Sequence, residues 1–275
     1  MNIGQALRQA ATAGVARLDA HLLLLHALGR PASDRAWLLA HDDDECRPED
    51  HAQFEALCRR RLAGEPVAYL TGHKEFFGMP LAVDSRVLVP RPETETLVEW
   101  ALQAVEGVRG PRIVDLGTGS GAIALALASR RPDARIEAVD ASAGALEVAG
   151  ANARRLGLRV RLRQGHWLDG CEGVHDLIVS NPPYVRDGDE HLAALVHEPP
   201  HALAAGADGL DDLRRIVESA PARLAPGGWL LLEHGWDQAE AVRALLRGAG
   251  LTGVETRKDL AGIDRCSGGR RPERG

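Results

Sequence analysis

The sequence predicts an α/β fold, an open sheet preceded by a small helical domain, on three observations. The apolar run Leu177-Ile178-Val179 reads as a buried strand, and Pro182 and Pro183 forbid it to continue, since each lacks an N–H and fixes φ. Arg112 to Leu116 reads as a strand that enters the glycine-rich turn Gly117-Thr118-Gly119-Ser120-Gly121 and leaves as a helix of small apolar residues, Ala122 to Ala128. Up to about Leu70 apolar residues recur at helical intervals, and from Thr71 the period becomes that of strands. The first observation puts Asn181 at the carboxyl end of a strand, where open α/β sheets bind ligands.

The 275 residues suffice for one large and one small domain, and an apolar fraction of 45% supports a well-buried core. A net charge of -6 provides no overall basic field, so direct nucleic-acid binding is not expected. Lysine occurs only at Lys74 and Lys258, with arginine carrying the remaining positive charge. Cys46, Cys58, Cys171 and Cys266 are scattered, with no CxxC pair and no histidine at ligand spacing. That usage points to a reduced, cytoplasmic protein without a cysteine-based metal site. No basic stretch leads into an apolar one at the N-terminus, and the cluster Leu22 to Leu25 is too short to span a bilayer, so no membrane association is expected.

In chain order, residues 1–72 read as a helical domain with a docking or lid role. Leu18, Leu22, Leu25 and Leu28 mark one helix, closed by Gly29-Arg30-Pro31. Trp37, Leu38 and Leu39 mark a second, and Phe54, Leu57 and Leu62 a third, after the acidic turn Asp42-Asp43-Asp44-Glu45. His21 and His26 have no partner at metal-ligand spacing and read as surface or boundary residues. Residues 73–92 read as a β-hairpin linker that turns at Gly78 and is held extended by Pro90 and Pro92. Thr94 is placed to cap the helix that carries Leu97, Val98 and Trp100.

Residues 93–275 form the large domain. In its first turn the glycines permit positive φ and close approach of a ligand, and the following helix N-terminus offers free N–H groups. The next strand, Arg135 to Asp140, ends in an acid placed to accept from ribose hydroxyls. Asp115 before the turn suits a cationic sulfonium with an ammonium group better than a pyrophosphate, which favours S-adenosylmethionine over a dinucleotide; the plain structural alternative for Asp115 is a turn cap. A third strand, Val160 to Gln164, leads to Gly165-His166-Trp167, with Trp167 placed near an adenine. After the turn Ala225-Pro226-Gly227-Gly228, Trp229 to Glu233 reads as a strand, followed by a helix from about Asp237 to Arg247. Glu255 to Gly269 reads as a closing antiparallel pair. At Asn181 to Tyr184 an amide carbonyl, the peptide carbonyls leading into the prolines and an aromatic face suit a planar, NH2-bearing group.

Asp115-Leu116-Gly117-Thr118-Gly119-Ser120-Gly121 together with Asn181-Pro182-Pro183-Tyr184 resembles the amino-group methyltransferases of the class I fold. The specific resemblance is to the PrmC/HemK group, the peptide chain release factor glutamine methyltransferases. It is supported by Gly64 to Gly72, Val89 to Glu95, His197-Glu198-Pro199 and Leu232 to Trp236. The resemblance implies a Rossmann-like seven-stranded sheet in the order 3-2-1-4-5-7-6 behind a helical substrate-docking domain. It implies methyl transfer from S-adenosyl-L-methionine to the glutamine amide of the Gly-Gly-Gln motif in class I release factors, by a monomer. Asp115, Gly117 to Gly121, Asp140, Trp167 and Asn181 are then expected at the cofactor, and Asn181, Pro182, Pro183 and Tyr184 at the glutamine. The family often carries an acid before the tryptophan, where this chain has His166.

Three other readings share parts of this pattern. A ribosomal-protein glutamine methyltransferase has the same Asn-Pro-Pro-Tyr chemistry, but Arg91 to Glu95 and Glu233 to Trp236 are more like the release factor group. A DNA adenine methyltransferase would use the same acceptors, against which stand the acidic balance and the lack of a basic target-recognition domain. A cofactor-binding regulator without catalysis would not need the acceptor set at Asn181 to Tyr184.

Overall fold

The computed structural model describes residues 1–273, which divide into two compact units. The first comprises residues 1–73 with 194–197. Its helices are α1 (Ile3–Thr12), α2 (Arg17–Ala27), α3 (Arg35–Ala40), α4 (Pro48–Leu62) and α5 (Val67–Thr71). A capping box opens α1: Asn2 Oδ1 accepts from Gln5 N at 2.8 Å, and Gln5 Oε1 accepts from Asn2 N at 3.0 Å. Charge placement supports α4, with Glu49 and Asp50 in its first turn and Arg59, Arg60 and Arg61 in its last, each opposing the helix dipole.

The other four helices of this unit all pack on α2. Its buried arc is therefore wide and takes in three consecutive leucines, Leu23, Leu24 and Leu25. The expected stripe is corrected accordingly. Leu18 in the first turn is exposed, as are Leu39 and Leu62, while Ile3, Leu38, Phe54 and Leu57 fill the core around α2.

The second unit begins at Lys74, within the first strand of a two-stranded sheet, β1 (His73–Phe76) and β2 (Met79–Ala82). Phe77 and Gly78 between them have φ of 52° and 78°, both left-handed, as a two-residue hairpin turn requires. Helix α6 (Thr94–Ala104) follows. Thr94 does not cap it: Glu93 occupies that position without a side-chain bond, and Thr94 is the buried first residue of the helix.

Then come β3 (Arg112–Leu116), α7 (Ala122–Arg130), β4 (Arg135–Asp140), α8 (Ala143–Leu156), β5 (Arg161–Gln164) and β6 (His175–Ser180). The chain continues through α9 (Asp211–Arg223), β7 (Leu224–Glu233), α10 (Ala239–Gly248), β8 (Thr252–Lys258) and β9 (Asp264–Arg270). The seven strands lie in the order β5-β4-β3-β6-β7-β9-β8, which is the 3-2-1-4-5-7-6 arrangement. All pairings are parallel except those of β9, which runs antiparallel between β7 and β8. Strand β7 starts earlier than its apolar run suggests, because Leu224 already pairs with His175.

Both sheet faces are covered, which is why the central strands read as unbroken apolar runs. Ile113, Leu177, Val179 and Leu231 pack with α6 and α7 on one face. Val114, Leu116, Ile178, Leu230 and Leu232 pack with α9 and α10 on the other. Gly268 in β9 is required by a close approach: a Cβ there would lie 2.4 Å from Leu231 Cδ2 and 2.8 Å from Trp100 Cη2. No helix among the described residues is long and apolar enough to cross a membrane.

One buried side chain binds three segments of this unit together. Asn152 on α8 accepts from Ala82 N at 2.7 Å and donates to Ala82 O at 3.0 Å, closing the outer edge of β2. The same amide donates to Ser120 O at 2.9 Å, in the glycine-rich turn. Replacing Asn152 by alanine strands three backbone groups, an expected loss of about 1–3 kcal/mol. Calorimetry should show Tm lowered by roughly 3–10 °C; an unchanged Tm would remove the bridge from the account of stability.

Candidate active site

A cavity of about 540 Å³ opens at the carboxyl ends of β3, β4 and β6. The order of the sheet reverses between β3 and β6, so loops leaving them diverge and leave a crevice, the switch point of an open α/β sheet. Gly117 to Ser120 form one wall of it. Gly117 N and Thr118 N both donate to Val139 O, at 2.8 and 3.0 Å, which folds the turn over the end of β4. Gly119, at φ 55°, has nothing within 4 Å of where a Cβ would stand, so backbone conformation rather than crowding demands glycine there.

Asp140 also lines the cavity, and its carboxylate is fixed by backbone donors. Oδ2 accepts from Gly119 N and Oδ1 from Ser142 N, each at 2.9 Å. Each oxygen retains a lone pair for a ligand hydroxyl.

Asp115 lies elsewhere than charge reasoning placed it. It does not line the cavity but sits fully buried beneath the turn, accepting from Thr118 Oγ1 at 2.6 Å and Ala124 N at 3.2 Å. Its Oδ1 has no hydrogen-bond partner. Burial pushes its pKa up to about 7, with the charge of Asp140 adding to the rise. The residue holds the turn and the start of α7 together. Gly121 is likewise behind the wall, at the N-cap of α7.

Trp167 and His166 both border the cavity. Trp167 has φ 48°, a conformation bulky residues rarely adopt and one that accumulates at functional sites. The strained backbone lays the indole against Gly117, where a Cβ would stand 3.2 Å from Cζ3. Its Nε1 donates to Asp212 Oδ1 at 3.2 Å. Asp212, in the first turn of α9, also faces the cavity and was not expected from the sequence.

Asn181 and Pro183 supply the opposite wall, while Pro182 and Tyr184 do not reach it. Asn181 Nδ2 donates to Thr94 Oγ1 at 3.2 Å, leaving Oδ1 as the acceptor. The Tyr184 ring packs against the core under β7 instead of presenting a face to the cavity. Its hydroxyl donates to Glu233 Oε1 at 3.3 Å, and burial together with that carboxylate holds its pKa well above the usual phenol range.

Val87, Pro90 and Arg91 from the segment before α6, with Thr94 at its start, close the cavity. Buried Glu198 accepts from Val89 N at 3.0 Å and pairs with Arg91 through Nη2. That bond joins two stretches quoted for the resemblance, Val89 to Glu95 and His197 to Pro199, whose spatial relation the sequence does not display.

The cavity fits the adenosyl sulfonium donor in two respects. It has the volume for a nucleoside with an amino-acid tail, and its lining includes a carboxylate, that of Asp140, held by backbone N–H groups with lone pairs left for hydroxyl donors.

Comparison with known proteins agrees. Residues 2–72 match the PrmC N-terminal domain model, and residues 94–210 match the methyltransferase small domain model. The chain is 54% identical to a release factor glutamine methyltransferase from Bordetella pertussis, covering 93% of this chain and 95% of that protein. It is 51% identical to one from Xylella fastidiosa, covering 97% and 98%. The solved structure of a methyltransferase from Pyrococcus furiosus, 22% identical, covers 78% of this chain and 97% of its own with a TM-score of 0.56, a likeness of fold.

The buried carboxyls give stability a pH dependence. Asp115 and Glu233 both have folded-state pKa values raised to about 7, so the folded chain binds more protons than the unfolded one above the ordinary carboxylate range. Their stabilising contribution is complete at acid pH and is lost as pH rises through about 7. Calorimetry without ligand should show Tm falling as pH rises from about 4 to about 7 and levelling above that. Asp115→Asn should lessen that fall by roughly 5–15 °C; an equal fall in both proteins would exclude Asp115 as a source.

Proposed function

This chain belongs to the release factor glutamine methyltransferase family, and we propose that it transfers a methyl group from S-adenosyl-L-methionine to the glutamine side-chain nitrogen in the Gly-Gly-Gln motif of class I release factors. The observation that carries this reading is that Asn181 and the glycine-rich turn open onto one cavity, so that acceptor and donor sites adjoin. S-adenosyl-L-methionine, when bound, supplies an electrophilic methyl carbon attached to sulfonium. Asp140 accepts from ribose hydroxyls, the backbone of Gly117 to Ser120 admits close approach of the tail, and Trp167 with His166 borders the base. Asp115 contributes through the shape of the turn.

An amide nitrogen is a poor nucleophile because its lone pair is delocalised into the carbonyl. Asn181 Oδ1 accepts from one of its N–H bonds, which favours a pyramidal nitrogen and aims the lone pair at the methyl carbon; Pro182, set back from the cavity, ends the strand so that Asn181 is presented there. Orientation and electrostatics thus supply the rate, and no side chain must remove a proton before transfer. The proton leaves once the nitrogen carries positive charge. Pro183 walls the glutamine, and Tyr184 anchors the loop behind it. Residues 1–72 are the release factor docking domain, residues 73–92 the hairpin linker and residues 93–275 the methyltransferase domain, in a cytoplasmic monomer that makes no direct contact with nucleic acid.

Purified class I release factor incubated with enzyme and S-adenosyl-L-methionine should gain one methyl group on its Gly-Gly-Gln peptide by mass spectrometry. An unmodified peptide, with the methyl donor shown to bind, would overturn the substrate assignment. Asn181→Ala should lower kcat by about 100- to 1000-fold with donor affinity nearly unchanged. Asp140→Ala should raise the donor Kd by about 10- to 100-fold; full activity of the first, or tight binding by the second, would remove that residue from its role.

A further inference from the structure

Trp167 borders the cavity from a left-handed backbone, φ 48°, which a bulky residue leaves unless its side chain is held. The indole is held at opposite ends. At the benzo end Cζ3 lies against Gly117, where a Cβ would stand 3.2 Å away. At the other end Nε1 donates to Asp212 Oδ1 at 3.2 Å. An indole N–H only donates and an ionised carboxylate only accepts, so this second anchor has a single polarity. The ring also packs on the core that α9 and α10 cover, a contact without direction.

Asp212 is itself firmly placed. It lies in the first turn of α9, where negative charge complements the helix dipole, and Leu213, Ile216 and Val217 bury the same helix in that core. Its side chain is 16% exposed; Arg215, 3.8 Å from Oδ1 and 64% exposed, competes only weakly for that oxygen. The bond thus ties the loop after β5, the edge strand of the sheet, to a helix anchored 45 residues later. We propose that Asp212 is a positioning residue for the methyl donor: by accepting from Nε1 it holds the Trp167 indole against the glycine-rich turn as a fixed wall of the donor site. The inference rests on the reading of this cavity as the S-adenosyl-L-methionine site, and it adds one residue to that site.

The consequence falls on donor binding and not on the chemical step. Without the anchor, the backbone at Trp167 is free to relax to negative φ and carry the ring off Gly117. A donor then binds only the fraction of molecules in which the wall is in place, which raises its apparent Kd. Asn181 takes no part in this arrangement, since its amide bonds Thr94. Once the donor is bound, the wall is restored and transfer proceeds as before.

The test is a double-mutant cycle of Asp212→Ala with Trp167→Phe, read by calorimetric titration of S-adenosyl-L-methionine without release factor. Asp212→Asn serves as the conservative variant. Asp212→Ala should raise the donor Kd by about 10-fold and leave kcat at saturating donor within about threefold. Asp212→Asn, which keeps an acceptor for Nε1, should hold the donor Kd within about threefold of wild type. In Trp167→Phe, which keeps a ring but has no N–H, adding Asp212→Ala should change Kd by less than about twofold. By NMR of the free proteins, the indole N–H signal that Trp167→Phe removes should exchange slowly in wild type and Asp212→Asn and fast in Asp212→Ala. Wild-type donor Kd in Asp212→Ala, the same loss in Asp212→Asn, or an undiminished effect in the Trp167→Phe background would overturn the proposal. A wild-type enzyme that leaves the release factor unmethylated, while the cycle holds, would overturn the substrate reading and leave the positioning role standing.

Discussion

One buried hydrogen bond, from Ser180 Oγ to Leu116 O at 2.7 Å, holds the ends of the two central strands level. Both strands stop there for local reasons, β3 because glycines take over and β6 because two prolines follow. Had either run on by a pair of residues, the turn at Gly117 and the amide of Asn181 would open at different depths. The remaining features elaborate that level edge. Backbone donors orient Asp140 across the neighbouring strand end, and the indole of Trp167 roofs the turn at the cost of a left-handed backbone.

Two fully buried carboxyls, Asp115 and Glu233, stand behind opposite walls of the cavity and resemble each other in design. Each accepts from a side-chain hydroxyl, Asp115 from Thr118 and Glu233 from Tyr184, and leaves one oxygen without a partner. Burying an acid in this way weakens the fold wherever the acid is ionised. What the chain obtains is a strong acceptor that cannot reverse its role, one for a turn and one for the tyrosine that anchors the Asn181 loop. Stability is traded for an unambiguous direction of hydrogen bonding at the two places that define the site.

The parts of the site that were legible in the sequence are those encoded within a few residues. The stop at Asn181, the turn at Gly117 to Gly121 and the acid closing the next strand all follow from local stereochemistry. The order of the sheet was implied by resemblance, since periodicity does not say that β9 inserts between β7 and β8. Contacts between distant residues were not legible. Glu233 lies 49 positions after Tyr184, and Trp167 lies 45 before Asp212. The aromatic face expected of Tyr184 at the ligand packs instead against the core under β7, a contact between distant segments that no local pattern encodes.

All four cysteines are free and buried, and burial pushes each thiol's pKa upward, that of Cys58 to about 11. A thiol held in that state reacts slowly with alkylating reagents and oxidants, because the thiolate is the nucleophile. Two lie in each compact unit, Cys46 and Cys58 in the first, Cys171 and Cys266 in the second. The native chain thus carries its own opening clock for each unit: the rate at which a maleimide marks one pair or the other reports how often that unit, and not its neighbour, comes apart.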